Sequence, residues 1–363
     1  MKNKNINQLI FLIIIISVVS ACSFTGNIVD WVKIDSGDFL LYGKKTKFIG
    51  ANAVNLVFYD ELGLDRKLVF KTAKNNKIKV LRIFFDWGYG SQNDYDEIVD
   101  LASRYNIYLI VTLTDCCCSS DYLDIDNYFK KHAFYCNISN PEAIEAFKKR
   151  IREIIMHKNF INGRLYRDEP AIFAWDIANE LEFWHFDISE VKKWISEIAN
   201  YIKQLDPNHL VTITIGTSSN NFDYDDLLYK IFDVSELDYL SFSFYSFSKE
   251  FNGNYPSDLK ERIYLRIKKM LPYGKPILLQ EFGFSTSGKI NFHTRNSPKT
   301  ISLYYKVLKD IMDTAFSSGA KGVLFWGWGL YEEKKAPFWW SEESHSAREK
   351  EFCRFLKNYR IPQ

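Results

Sequence analysis

Ala171-Ile-Phe-Ala-Trp-Asp-Ile-Ala-Asn179-Glu180 is the stretch that decides the architecture. It is apolar on consecutive positions, Ile172-Phe173-Ala174-Trp175, and it ends on an amide and a carboxylate. A half-exposed strand would alternate between apolar and polar. An unbroken apolar run of this length reads as a strand buried on both faces, as in a parallel sheet covered by helices.

Seven more short runs rich in Ile, Val, Leu and Phe lie on either side, at 47–52, 79–84, 108–113, 210–215, 239–244, 276–281 and 322–326. Amphipathic, helix-like stretches separate many of them, including 143–157, 189–205, 260–271 and 301–318. Asn140-Pro141-Glu142 has the form of a helix cap and first turn, and Ser318-Gly319 that of a stop. Eight strands alternating with helices in residues 31–363 predict an α/β protein with a single (β/α)8 barrel, also called a TIM barrel. The rival is an open doubly wound sheet. No Gly-rich phosphate loop follows the first strand, which removes the usual ligand argument for that rival.

Composition narrows the function. The chain of 363 residues is 47% hydrophobic and 25% charged, which excludes a largely disordered protein. A net charge of +2 gives no field that would attract nucleic acid. In a barrel, catalytic groups sit at the C-terminal ends of strands. Two carboxylates stand there: Glu180 closes the fourth run, and Glu281 closes Pro276-Ile-Leu-Leu-Gln-Glu281-Phe-Gly283 in the seventh. A single acid at a strand end is readily a salt bridge or a helix cap. Two of them, on strands that face each other across one mouth, are what glycoside hydrolysis requires: one acid to protonate the departing oxygen and one carboxylate to attack or to activate water. No metal-ligand spacing and no cofactor motif accompanies them. Cys116, Cys117 and Cys118 have no zinc-ligand spacing with a nearby His, and a loop disulfide from this run to Cys136 is an open pairing.

Asn179-Glu180 after a Trp-bearing strand, with Glu281-Phe282-Gly283 downstream, resembles glycoside hydrolase family 5. The likeness spans nearly all of 31–363. It includes Trp31-Val-Lys-Ile, Phe48-Ile-Gly-Ala-Asn52, the segment from Asn76 through Arg82, Leu205-Asp-Pro207-Asn-His209 and Ser318-Gly-Ala-Lys-Gly322-Val-Leu-Phe-Trp326. Asp168-Glu-Pro-Ala-Ile-Phe-Ala-Trp-Asp-Ile-Ala-Asn-Glu180 is most similar to the endo-β-1,4-mannanase branch. The resemblance implies a retaining hydrolase on a (β/α)8 barrel, with Glu180 as acid/base and Glu281 as nucleophile. By the same carry-over Asn179 bonds the sugar 2-hydroxyl, Arg82 and Tyr245 hold the nucleophile, and Trp326 forms the floor under the sugar ring. Retention would place the two carboxyls about 5–5.5 Å apart. The implied substrate is a β-1,4-mannan or a related polysaccharide or oligosaccharide, handled without cofactor or metal. A β-1,4-glucanase of the same family is the nearest alternative, and a non-catalytic glycan-binding surface lipoprotein is the alternative from another class.

Two departures motivate that last alternative. Where the family shows His-x-Tyr after strand six, the chain has Ser243-Phe244-Tyr245. Where it places a His near the end of strand three, the chain has Thr112-Leu-Thr114-Asp115-Cys116. Asn55 stands where mannanases often carry an aromatic. Trp175 reads as core, and core is the alternative reading for Trp326 and, more strongly, Trp328, whereas Trp87, Trp184, Trp339 and Trp340 fall in loops and are candidates for neighbouring sugar subsites.

The beginning of the chain carries a separate message. Lys2 and Lys4 precede an apolar run from Leu9 to Val19, followed by Ser20-Ala21-Cys22. This is the order of a secretory signal, and the run is shorter than the roughly 20 residues a spanning helix needs. Ser-Ala-Cys resembles the bacterial lipobox, which implies cleavage after residue 21 and a lipid on Cys22. The expected organisation is a signal peptide at 1–21, a lipidated tether at 22–30 and a catalytic domain at 31–363. The protein is then exported and anchored at the cell envelope. A monomer is expected, since no heptad or other interface element is legible.

Overall fold

The structure is a computed structural model that describes residues 30–53, 56–57, 65–85, 91–116, 134–181, 186–216, 229–247, 255–285, 298–330, 345–346 and 350–362. The chain first folds a small antiparallel sheet of β1 (Lys33–Asp35), β2 (Asp38–Leu41) and β3 (Lys44–Lys45). Its two turns, Ser36-Gly37 and Tyr42-Gly43, all have positive φ, the geometry that matches the twist of a tight hairpin. The sequence reading assigned no element here. Phe39 of β2 is fully buried, with its ring 5.1 Å from Phe173, 5.3 Å from Tyr239 and 5.8 Å from Phe48. Those three residues lie at or just before the N-terminal ends of barrel strands, so the hairpin closes the base.

The barrel follows: β4 (Phe48–Asn52), β5 (Ile78–Phe84), β6 (Tyr108–Thr112), β7 (Ile172–Asp176), β8 (Leu210–Thr212), β9 (Thr214–Ile215), β10 (Leu240–Phe247), β11 (Ile277–Ser285) and β12 (Gly322–Trp326). All pairings are parallel, and β12 pairs back onto β4. β8 and β9 are two halves of one strand parted at Ile213: β8 pairs with β7 and β9 with β10. The nine segments are therefore the eight strands of a closed barrel, and the open sheet is excluded. The hydrophobic runs read from sequence coincide with these strands. β4, β6, β7 and the β8 half-strand are buried at every position, which is why they read as unbroken apolar runs.

The surrounding helices are α1 (Arg66–Asn75), α2 (Gln92–Tyr105), α3 (Pro141–Ile155), α4 (Ile188–Leu205), α5 (Leu259–Met270), α6 (Pro298–Ser318) and α7 (Lys350–Asn358). Asn140 caps α3 by accepting from the Glu142 N–H, with Pro141 in the first turn, as the sequence predicts. Gly319 follows α6 with φ +121°. At the base, buried Trp175 donates its Nε1–H to Asp206 Oδ2 (2.7 Å), and the ring of His209 packs at 5.6 Å. Trp175 and Trp328 are core residues, both fully buried. Cys116, just past β6, is bonded to Cys136, which closes the pairing the sequence left open. Cys22, Asn55, Trp87, Cys117, Cys118, Trp184, Trp339 and Trp340 lie outside the described residues.

Candidate active site

Arg82 sits in β5, enclosed by the barrel and fully buried. A buried guanidinium is tolerable only if its donors are met by acceptors, and by charge. Its Nη1 donates to Glu281 Oε2 at 2.9 Å and to Asn52 Oδ1 at 3.1 Å. Its Nη2 donates to Asp176 Oδ2 at 2.8 Å and to Asn179 Oδ1 at 2.7 Å. Its Nε lies 3.1 Å from Asp176 Oδ2 and 3.0 Å from Thr112 Oγ1. One cation thus joins β4, β5, β6, β7 and β11.

Asp176 is the counter-charge. It is fully buried, and its Oδ2 also accepts from Thr112 Oγ1 (2.9 Å), Thr214 Oγ1 (3.0 Å) and Gln280 Nε2 (2.9 Å), while Oδ1 accepts from the Thr214 N–H (3.1 Å). Burial pushes its carboxyl above the usual range, and Arg82 and the two threonines pull it back.

Glu281 has a smaller donor set. Tyr245 of β10 donates its hydroxyl to Oε1 at 2.5 Å, and Arg82 holds Oε2. Glu281 is 6% exposed. Burial, then the neighbouring negative charge of Glu180, push its carboxyl up to about 8, against the pull of Arg82 and Tyr245. Asp115 adds a smaller push in the same direction.

Glu180 follows Asn179 just beyond β7 and has φ +44°, a left-handed conformation uncommon for a residue with a side chain. The segment leading to it is pinned, since Asn179 N–H donates to Thr114 O (2.9 Å) and Cys116 N–H to Asn179 O (2.9 Å). Gly216, after β9, makes room for it: a Cβ there would stand 2.9 Å from Glu180 Cβ. Among the described residues no side chain donates to the Glu180 carboxyl. The Asn179 amide is oriented without ambiguity. Its Oδ1 accepts from Arg82, which can only donate, and its Nδ2 donates to Asp115 Oδ1 at 3.0 Å. Trp326, at the end of β12, is partly exposed, its backbone paired with Asn52, and the Trp326–Gly327 peptide is cis.

The chain matches the family model described as GH family 5 β-mannosidase-like over residues 58–347. It belongs to glycoside hydrolase family 5. Among relatives, mannan endo-1,4-β-mannosidase 1 of Arabidopsis thaliana is 33% identical over 128 residues, covering 32% of this chain and 29% of that protein. Mannan endo-1,4-β-mannosidase F of Aspergillus clavatus is 26% identical over 217 residues, covering 50% and 46%. The chain thus spans less than half the length of these two relatives. The endo-1,4-β-mannanase of Rhizomucor miehei superposes with a TM-score of 0.70 at 22% identity, over 91% of this chain and 98% of that one. The endo-β-1,4-mannanase of Thermotoga petrophila gives 0.66 at 21%, over 88% and 77%. At these identities the superpositions establish a shared fold.

Within this family 5 barrel the structure draws Arg82, Asn179, Tyr245 and Glu281 into one hydrogen-bonded cluster, with Glu180 beside it. Sequence reasoning assigned no role to Asn52, Thr112, Asp115, Asp176, Thr214, Gly216 or Gln280. The available signal was a polar residue inside an apolar run, most plainly Asp176 between Trp175 and Ile177. Both departures can be placed. Ser243 is buried in β10 with its backbone paired to Glu281. Asp115, in the stretch at the end of strand three, stands against Asn179 and accepts from its Nδ2.

Proposed function

We propose that this family 5 protein is a retaining glycoside hydrolase that cleaves β-1,4-linked mannan or its oligosaccharides. The observation that carries the reading is the unequal treatment of two electrostatically coupled carboxyls. Glu281 is gripped at both oxygens by Arg82 and Tyr245, and among the described residues no side chain donates to Glu180 in the same way. A carboxylate that must stay aimed at one carbon needs donors, whereas an acid that must give up its proton does not.

In this reading Glu281 attacks the anomeric carbon while Glu180 protonates the departing glycosidic oxygen. The carbon–oxygen bond to the leaving sugar breaks as the bond to Glu281 forms, giving a glycosyl-enzyme. Glu180 then takes a proton from water, whose oxygen displaces Glu281 with a second inversion. The Asn179 amide, turned by Arg82 and Asp115, offers its remaining N–H to the 2-hydroxyl. Trp326 offers a ring face to the C–H face of the sugar. No step calls for a metal or an organic cofactor.

The test is reducing-sugar release from mannans, glucans and xylans, with the anomer of the first product read by NMR, beside Glu281→Ala and Glu180→Ala. Mannan cleavage with retained configuration, lost in both variants, is expected. Cleavage of glucan instead would reassign the substrate. Binding without cleavage, unchanged in both variants, would make the protein a glycan-binding module.

We also infer that the protein is exported and anchored through a lipid on Cys22. The motif Ser20-Ala21-Cys22 supports this, and the Cys116–Cys136 disulfide suits an oxidising compartment. Mass spectrometry of the mature N-terminus tests it. An unmodified Cys22 would remove the anchor.

A further inference from the structure

The base of the barrel holds an apolar feature that the catalytic reading does not use. Between α3 and β7 the chain makes a tight turn, Lys158-Asn-Phe160-Ile161-Asn-Gly163-Arg164, closed by an antiparallel bridge between Lys158 and Leu165. Phe160 is 74% exposed and Ile161 48%. Isolated exposed apolar residues are ordinary; an adjacent pair held out on a braced turn is not.

The turn is braced by hydrogen bonds to buried groups. Buried Asn159 accepts at Oδ1 from the Ile161 N–H (2.8 Å) and donates from Nδ2 to Asp96 O (3.0 Å). The Phe160 N–H donates to Asp96 Oδ2 at 2.9 Å, and Gly163, with φ +75°, donates its N–H to Asn159 O. Fully buried Asp96 also receives Tyr166 OH at 2.6 Å. Above this polar knot the Phe160 ring lies edge-on to His157 at 5.3 Å, and both apolar side chains remain largely open to solvent.

The turn lies where the chain enters the fold. Trp31 packs edge-on to His209 at 4.9 Å, His209 Nε2 meets Glu169 O at 3.0 Å, and Asn162 of the turn donates to Glu169 Oε2 at 3.1 Å. Glu169 and His209 each stand just before a barrel strand, so the turn and Trp31 share the base, opposite Glu180 and Glu281. Only eight peptide units part Cys22 from Asp30, a reach of about 28 Å at full extension. A lipid on Cys22 would therefore keep this end near a bilayer. Exposed Lys158 and Arg164 flank the pair, as cations flank residues that enter an anionic lipid surface; Arg164 also meets Glu169 Oε2 at 3.6 Å from its exposed position, and Asp168 nearby is matched by Arg167.

We propose that the base of the barrel is a membrane-docking face, with Phe160 and Ile161 entering the boundary between lipid headgroups and acyl chains. The site mouth then points away from the membrane, toward polymer outside. This rests on the anchored reading of Cys22. Amphipathic contact of this kind adds to a single anchor and sets orientation, which a flexible tether alone does not.

The experiment uses the full mature chain in vesicles of phosphatidylethanolamine and phosphatidylglycerol. One variant is Phe160→p-benzoylphenylalanine. The other is Phe134→p-benzoylphenylalanine, an exposed position on the mouth side, beside Cys136. After illumination, lipid adducts on the first and not the second are the expected result. Lipid adducts from 134, from both positions equally or from neither overturn the proposal, and so does an adduct from 160 to a second copy of the chain. The intact mass reports separately whether Cys22 is acylated. If it is not, the anchor reading fails by itself, and the same illumination of that chain with added vesicles still decides the face: no lipid adduct at 160 overturns it.

Discussion

Arg82 is one cation between two buried carboxylates, and the division of its charge governs the chemistry. With Asp176 and Glu281 both ionised the trio carries a net negative charge in a buried site, and burial makes that costly. Asp176 meets this with hydroxyl, amide and backbone donors and Glu281, among the described residues, with two, and burial raises the proton affinity of both. When Glu281 becomes an ester in the proposed cycle, Arg82 stays paired with Asp176, so the intermediate leaves no stranded cation. Asp176→Asn should therefore move the acidic limb of kcat/KM downward, on the order of one pH unit, because Arg82 then serves Glu281 alone. A pH–rate profile checks this, with Asp176→Glu expected to keep the limb in place; an unmoved limb in Asp176→Asn would reduce Asp176 to a structural role. Gly216→Ala should push Glu180 aside, since the added methyl would lie 2.9 Å from its Cβ. A loss of roughly 100-fold in kcat with a nearly unchanged melting temperature is expected from such a displacement, read by steady-state kinetics and calorimetry.

Among the elements, β6 and its exit matter beyond packing. Thr112 and Asp115 come from this one stretch, the first bonded to Arg82 and the second to Asn179, and Cys116 follows directly. The disulfide to Cys136, 20 residues on, ties the exit of β6 to the approach to α3. Closing a loop of that length stabilises by about 3 kcal/mol in the chain-entropy account. Cys136→Ser should lower the unfolding free energy by that amount in urea titrations. Reductant should lower wild type to the level of the variant and leave the variant unmoved. The β1–β2–β3 hairpin works at the other end, where Phe39 fills the base. Its alternation of Phe39 and Leu41, with two Gly-containing turns, was present in the sequence; three strands of four residues or fewer are too short for periodicity to be counted with profit.

For the molecule as a whole, the site is a charge held against the fold. The carboxyl of Glu281 has a folded-state value of about 8 against an ordinary 4.5. A carboxyl raised on folding contributes fully to stability below its unfolded value, and that contribution is lost as pH rises through the folded one. Glu281→Gln cannot titrate, so its melting temperature should pull ahead of wild type as pH climbs from about 4.5 to about 8, and the gap should then stay constant. Thermal melts across that range decide it. A constant gap throughout would mean that Glu281 titrates normally in the folded protein.

The sequence by itself determined the barrel, the order of its eight strands and both carboxyls at its mouth. These are local signals: a strand buried on both faces must be apolar throughout, and an acid at the end of such a run stands out against it. The members of the cluster around Glu281, Arg82, Asn179 and Tyr245, were singled out through their likeness to family 5. The tertiary structure alone decided that Asp176 shares Arg82, that Asp115 turns the Asn179 amide, that Gly216 makes room for Glu180, that Cys116 pairs with Cys136, and that Phe160 and Ile161 stand out beside the point where the chain enters. Arg82 reaches Asp176 across 94 residues of chain and Glu281 across 199. Hydrophobic periodicity speaks only for neighbours within a few residues. Contacts between distant strands depend on how the sheet closes and how far each strand is staggered against the next, which no single segment encodes.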